Sequence, residues 1–284
     1  MIHRLGIIGA GLMGSGIAEV AARNGVDVIV VEADDTAAKA GLARITKSLD
    51  RGVRSGKLTE EARADALGRI DVTTSFDKLT NRELVVEAVI EDEATKLDVF
   101  RRLDAVVEDP AAVLASNTSS IPIMKLAMAT QRPEQVVGIH FFNPVPVMPL
   151  VEVVTSLMTN PKVEQQAHEF AGGQLSKHVI KSKDRAGFIV NALLIPYLLS
   201  AIRMFESGFA TAEDIDTGMV DGCAHPMGPL ALTDLIGLDT TMAVAQSLYE
   251  EFKEPLYAPP PLLSRMCEAG LLGRKVGRGF YQYN

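Results

Sequence analysis

His140 and Glu152 flank a proline-rich connector, in Gly138-Ile139-His140-Phe141-Phe142-Asn143-Pro144-Val145-Pro146 and Leu150-Val151-Glu152-Val153. An imidazole ending one strand, with a carboxylate on the chain that returns beside it, is the arrangement of a general base. The carboxylate fixes the tautomer and favours the protonated form. The other four histidines, His3, His168, His178 and His225, have no comparable setting and read as surface or structural. Ala115-Ser116-Asn117-Thr118-Ser119-Ser120 is a polar run at another strand end, before Ile121-Pro122. It either caps a helix or offers side-chain donors to a substrate oxygen and a cofactor. Asn191 stands among apolar residues near the start of a long helix. It either faces a reactive site or bonds neighbouring backbone.

A second group of residues suits a phosphate. Gly9-Ala10-Gly11-Leu12-Met13-Gly14 follows the apolar run Leu5 to Ile8 and opens into Ser15 to Ala22, which reads as strand, turn and helix. Gly9 allows the tight turn, Gly11 lets backbone approach a pyrophosphate, and Gly14 lets helix and strand pack closely. The helix start offers unpaired N–H groups. Val26 to Val31 reads as the next strand, and Glu32 follows it, 23 residues after Gly9. An acid at about that distance completes a dinucleotide-binding unit. Gly9, Gly11, Leu12, Met13, Gly14 and Glu32 are therefore assigned to the cofactor. Glu32 can accept bonds from a ribose diol and would repel a 2′-phosphate, which points to NAD over NADP. The competing reading is a glycine-rich junction with no ligand.

The elements that must position these groups follow from pattern. The chain has 284 residues, 47% hydrophobic and 23% charged, enough for one large domain or two ordinary ones. Its net charge of −8 gives no bulk attraction to nucleic acid or an anionic membrane. Cys223 and Cys267 share no metal-ligand spacing and read as two buried thiols in a reducing compartment, and no metal site is expected. The first strand begins within five residues of the start, leaving no room for a leader, so a cytoplasmic protein is expected.

Strands are expected at Leu84–Val89, Val113–Ser116, Val136–His140, Leu150–Val154 and Val179–Ile180. Helices are expected from Ala37 to about Leu49, from Thr59 to Leu67 and from Glu91 to Val107. Strands alternating with helices predict a doubly wound, Rossmann-like sheet over 1–184. Gly187 to Phe205 reads as a long apolar helix that Pro196 should kink or leave with a local gap in hydrogen bonding. Helices at about 211–220, 228–235, 238–251 and 260–270 complete an all-α domain over 185–284. The long helix is too apolar for a lone surface helix and is expected to pack centrally or against a second subunit. Lys47, Arg51 and Arg54 share one helical face, with Lys57 beyond. They form either a grip for a phosphate-bearing substrate or an ordinary solvated face. Gly273 to Phe280 lacks a preceding strand and reads as a turn pinning the C-terminus.

Taken together, the glycine motif, the Ser119 run, His140-Phe-Phe-Asn143-Pro144 and Leu150-Val-Glu152-Val153 resemble the L-3-hydroxyacyl-CoA dehydrogenases. The short bacterial 3-hydroxybutyryl-CoA dehydrogenases are the nearest pattern. The likeness continues through Gly187-Phe-Ile-Val-Asn191, His225-Pro-Met-Gly-Pro229, Gly237-Leu-Asp-Thr240 and Gly277-Arg-Gly279-Phe280-Tyr281. The resemblance implies His140 as acid/base, Glu152 as its partner, and Ser119 and Asn191 as contacts to the substrate oxygen. It implies cofactor contacts from Glu32, Glu91, Lys96, Ser119, Asn143 and Lys275. Coenzyme A contacts are implied from Ser48 to Lys57, with Ser48, Arg51 and Lys57 as candidates, and dimerisation through the helical domain. One departure is Ala192, where the family usually carries Arg. The rival readings are a dehydrogenase of a free 3-hydroxy or sugar acid on the same scaffold, a flavin enzyme, and a non-catalytic NAD-binding protein.

Overall fold

Strands that read as unbroken apolar runs need cover on both faces, and here they lie inside a mostly parallel sheet. The computed structural model describes residues 1–283. The chain divides into two compact units, Met1–Arg185 and Ala186–Asn284, one residue later than the sequence suggested.

The first unit holds β1 (Arg4–Ile8), β2 (Asp27–Val31), β3 (Ile70–Thr73), β4 (Leu84–Glu87), β5 (Val113–Ser116), β6 (Val136–Phe141), β7 (Leu150–Thr155) and β8 (His178–Lys183). They form one sheet in the order β3-β2-β1-β4-β5-β6-β7-β8. Every neighbouring pair is parallel except β6 and β7, which run antiparallel. All residues of β4, β5 and β6 are buried, as their apolar runs require. Ile7, Val30, Val86, Ala115 and Ile139 belong to one continuous core. The unit's helices are α1 (Leu12–Arg23), α2 (Asp35–Arg54), α3 (Glu60–Gly68), α4 (Glu93–Val106), α5 (Ile123–Ala127) and α6 (Pro161–His168). The strand order turns back between β1 and β4, so a crevice opens at the carboxyl ends of those strands.

Several boundaries differ from the sequence reading. The edge strand β3 was not expected: it is four residues long and half-exposed, with no apolar run to mark it. Helix α2 continues to Arg54, and Asp34 caps it by accepting from the Ala37 N–H at 2.8 Å. Helix α4 starts at Glu93 rather than Glu91, because Asp92 accepts from the Thr95 N–H at 2.8 Å and sets the boundary there. No residue of the Ser116–Ser120 run caps α5. The Ile123 and Met124 N–H groups donate instead to the Asp184 carboxylate at 2.8 and 2.7 Å.

The second unit is all-helical: α7 (Val190–Glu206), α8 (Ala212–Cys223), α9 (Pro229–Ile236), α10 (Leu238–Phe252) and α11 (Pro261–Glu268). Helix α7 begins three residues later than expected, because Gly187 and Phe188 have φ of +75° and +50°, which a right-handed helix cannot contain. Its Ile195, Leu199 and Ile202 enter the unit's core, and it packs against α8, α9, α10 and α11. It runs through the buried Pro196 as one element. Neither cysteine is fully buried as expected: Cys223 ends α8 and is exposed, and Cys267 is half-buried in α11.

The C-terminal turn is anchored by a buried acid in α9. Asp234 accepts from the Phe280 and Tyr281 N–H groups and the Tyr283 hydroxyl, each at 2.9 Å. Gly279 lies so close that a Cβ there would collide with the Asp234 carboxylate. Replacing Asp234 with Ala leaves those donors without their acceptor, and should cost on the order of 3 kcal/mol in urea unfolding. A loss below about 0.5 kcal/mol, the range of ordinary surface changes, would mean the turn is held otherwise.

Candidate active site

Strands β1, β4, β5 and β6 run the same way, so their carboxyl ends share one edge of the sheet. That edge carries the Gly9–Gly14 turn, the segment after Glu87, the Ser119 run and His140. Strand β7 comes back antiparallel, and its register sets Glu152 directly opposite His140. Directly paired residues point to the same face of a sheet. His140 Nδ1 lies 2.8 Å from Glu152 Oε2, and His140 Nε2 lies 3.0 Å from Ser119 Oγ. The imidazole is 4% exposed and Glu152 is 0% exposed. A carboxylate only accepts, so Nδ1 carries the proton and Nε2 of the neutral ring turns its electron pair toward the Ser119 hydroxyl. Phe142 packs against the ring at 4.6 Å between centroids.

The Ser119 loop is held from behind by charge. Glu91 Oε1 accepts from Thr118 Oγ1, the Ser119 N–H, the Ser120 N–H and Ser120 Oγ at 2.5 to 3.0 Å. Lys96 Nζ lies 3.2 Å from Glu91 Oε2 and 2.6 Å from Glu87 Oε1. Burial raises the Glu91 carboxyl. The Lys96 charge and these hydrogen bonds lower it by more, leaving it below the ordinary glutamate value. Asn117 Oδ1 accepts from the Phe141 N–H at 2.9 Å, tying the end of β5 to the end of β6.

A cleft of about 450 Å³ opens at the strand-order reversal, lined by Ile8, Gly9, Gly11, Glu32, Ala88 and Val89 among others. The glycines here answer different demands. Gly9 has φ +92°, and a Cβ on Gly14 would clash with the Gly9 carbonyl. A Cβ on Gly11 would meet open space, so the protein itself does not require glycine there. The bare backbone suits a ligand's close approach, and the residues present fit a dinucleotide. Glu32 accepts from the Ala10 and Ala33 N–H groups at 2.5 and 3.0 Å, which fixes its carboxylate beside the turn.

Models of two domains match in tandem. Residues 4–185 fit the 3-hydroxyacyl-CoA dehydrogenase NAD-binding domain, and residues 187–283 fit the C-terminal domain. The chain belongs to the 3-hydroxyacyl-CoA dehydrogenase family. It is 60% identical over 282 residues to a 3-hydroxybutyryl-CoA dehydrogenase of Mycobacterium tuberculosis, covering 99% of each chain. It is 40% identical to the human mitochondrial hydroxyacyl-coenzyme A dehydrogenase, covering 100% of this chain and 92% of that one. The crystal structure of (S)-3-hydroxybutyryl-CoA dehydrogenase PaaH1 from Ralstonia eutropha superposes with a TM-score of 0.94 at 45% identity, over 100% of both chains.

Against that family, the expected residues fall into several groups. His140, Glu152 and Ser119 come together. Gly9, Gly11 and Glu32 line the cleft, Gly14 packs under its turn, and Leu12 and Met13 begin α1. Asn143 is exposed on the loop after β6. Lys96 is turned inward, 1% exposed, with its ammonium bound to two carboxylates rather than presented at a surface. Ser48 is half-buried on α2, Arg51 is exposed on it, and Lys57 is exposed in the following turn. Asn191 is the second residue of α7 and half-buried, and Lys275 pairs with Asp239 at 2.5 and 2.6 Å; both belong to the second unit. No group of three or more histidine, cysteine or acidic residues among those described could hold a metal ion. No helix among them is long and apolar enough to cross a membrane.

Sequence reasoning missed Glu87 and Arg44, and it named Ser116 and Asn117 only as members of the polar run, without their partners Glu87 and the Phe141 N–H. Arg44 donates to the Ala10 carbonyl, and it stands one helical turn before Ser48, a spacing that could have revealed it. Glu87 is a charged residue inside a fully buried strand, which is itself a signal.

The depressed Glu91 carboxyl links stability to pH. A carboxyl whose folded pKa is lowered adds stability above its unfolded pKa, and loses it as pH falls through the folded value. Glu91→Gln should therefore be less stable than wild type at neutral pH, with the difference closing on acidification below about pH 4.3. Urea unfolding over that range checks it; a gap independent of pH would contradict it.

Proposed function

We propose that this enzyme interconverts (S)-3-hydroxyacyl-CoA, with 3-hydroxybutyryl-CoA as the preferred acyl group, and 3-oxoacyl-CoA by hydride transfer with NAD(H). The observation that carries the reading is the bracketed imidazole, held at Nδ1 by Glu152 with Nε2 on the Ser119 hydroxyl. In the oxidation direction, His140 Nε2 takes the proton of the C3 hydroxyl. Bound over the β1–α1 turn, NAD supplies the hydride acceptor. Glu152 offsets the positive charge that the ring gains, and the Ser119 hydroxyl donates to the oxygen becoming a carbonyl. In the reverse direction the imidazolium returns the proton. A role for Asn191 at the same oxygen rests on the family resemblance, as do cofactor contacts from Asn143 and Lys275.

Serine, histidine and glutamate in this order could also serve acyl transfer. A hydrolase would need backbone N–H groups beside the serine to hold an oxyanion. Here the Ser119 and Ser120 N–H groups both donate to Glu91, so that arrangement does not support hydrolysis. The exposed side chains of Lys47, Arg51, Arg54 and Lys57 favour a phosphate-bearing CoA thioester over a free hydroxy acid. Glu32 beside the turn favours NAD over NADP.

His140→Gln should lower kcat for acetoacetyl-CoA reduction by about 10²–10⁴, with NADH binding, followed by fluorescence, close to wild type. Undiminished turnover would remove His140 from the mechanism.

The proposal extends to a homodimer formed through the helical unit, in a reducing cytoplasm where both thiols stay free. Leu193 on α7 and Phe209 beyond it are 74% and 79% exposed, large apolar surfaces for a lone subunit to show water. Leu193→Glu should shift the mass measured by light scattering from dimer toward monomer. A wild-type monomer would overturn this part of the account.

A further inference from the structure

Three charged groups lie in or against the apolar sheet, away from the reacting atoms. Glu87 is 0% exposed at the end of β4, Lys96 is 1% exposed in α4, and Glu91 is on the connection between them. Taking ions out of water is costly, and a buried ion pair seldom returns more stability than a well-packed apolar pair would. Stability alone therefore gives little reason for charges at these positions.

Their hydrogen bonds give them a direction. Glu87 accepts from Lys96 Nζ and Ser116 Oγ, both at 2.6 Å, and from the Val89 N–H at 2.8 Å. Ser116 Oγ in turn accepts from the Thr118 N–H at 3.1 Å. Lys96 passes to Glu91, and Glu91 holds the Ser119 N–H at 2.9 Å. Two routes thus start at Glu87 and end on the short loop that carries Ser119, one through Lys96 and Glu91, the other through Ser116 and Thr118. Ser119 Oγ is the atom facing His140 Nε2. The loop has no helix or strand of its own to set its height, since β5 ends at Ser116 and α5 begins at Ile123. Rigid β4 is the nearest fixed reference that both routes share.

We infer that Glu87 is a positioning residue for the reaction: from β4, through Lys96 and Glu91 and through Ser116, it fixes the Ser119 hydroxyl against His140. Misplacing a hydrogen-bond partner by a fraction of an ångström weakens it in the transition state, while the cofactor cleft need not change. The inference rests on the proposed roles of Ser119 and His140, so its test must separate the two.

The test is a double-mutant cycle on kcat for acetoacetyl-CoA reduction, using wild type, Glu87→Gln, Ser119→Ala and the double variant. Glu87→Gln keeps the shape and removes the charge. We expect it to lower kcat tenfold or more in the wild-type background and less than twofold in the Ser119→Ala background, with KM for NADH nearly constant. Equal losses in both backgrounds, or no loss in either, overturn the inference. Wild-type turnover in Ser119→Ala alone overturns the role of Ser119, and with it both readings. Should Glu87→Gln fail to fold, Ser116→Ala replaces it in the same cycle. It deletes one hydroxyl of the second route, and the expected pattern is the same with a smaller first loss.

Discussion

Everything chemical in this molecule depends on one antiparallel step in an otherwise parallel sheet. Strands β1, β4, β5 and β6 all deliver their carboxyl ends to one edge, but a parallel neighbour of β6 would reach that edge only at its own end. Strand β7 returns the other way, so its early residues lie beside the last residues of β6, and Glu152 falls opposite His140. The pair is buried, so neither side chain can relax into water. A buried carboxylate facing an imidazole at 2.8 Å leaves one arrangement of the neutral ring: the proton on Nδ1 and the electron pair on Nε2.

The surrounding polar groups work against the apolar character of their strands. Glu87, Ser116 and His140 interrupt runs that would otherwise be wholly apolar, and each sits at or near the carboxyl end of its strand. The sheet interior supplies rigidity and excludes water. The strand ends supply groups whose bonding needs are met by one another: Glu87 with Lys96 and Ser116, Glu91 with Thr118 and Ser120, Asn117 with the Phe141 backbone. Fully satisfied polar networks of this kind fix one geometry, where a half-satisfied one would leave several. The turn after β1 follows a different rule. Gly9 and Gly14 are required by the protein's own backbone, whereas a Cβ at Gly11 would meet open space.

The sequence reveals those parts of the fold whose signals are local. The glycine turn and its flanking strand and helix are read from spacing, and the five helices after residue 185 from periodicity and turn residues. The returning strand was legible because the Pro-rich connector with Pro144 and Pro146 can turn the chain back, and Leu150 to Val154 is apolar apart from Glu152. What escaped was either short or non-local. Strand β3 is a half-exposed edge of four residues, with no pattern to separate it from a loop. Asp184 serves α5 from some sixty residues away in the chain, so α5's first turn gives no local sign of its cap. Lys96 was expected at the cofactor from the family resemblance, and only the fold shows two carboxylates drawing it inward.

The orientation of the His140 ring can be read directly. Nitrogen-15 NMR of the imidazole, at a pH where the ring is neutral, distinguishes its two tautomers by the shift and proton coupling of each nitrogen. The account predicts the Nδ1–H form, with Nε2 unprotonated and able to accept the substrate's proton. A ring protonated at Nε2 instead would show that Glu152 does not hold it as described, and the proposed acid/base role would not stand.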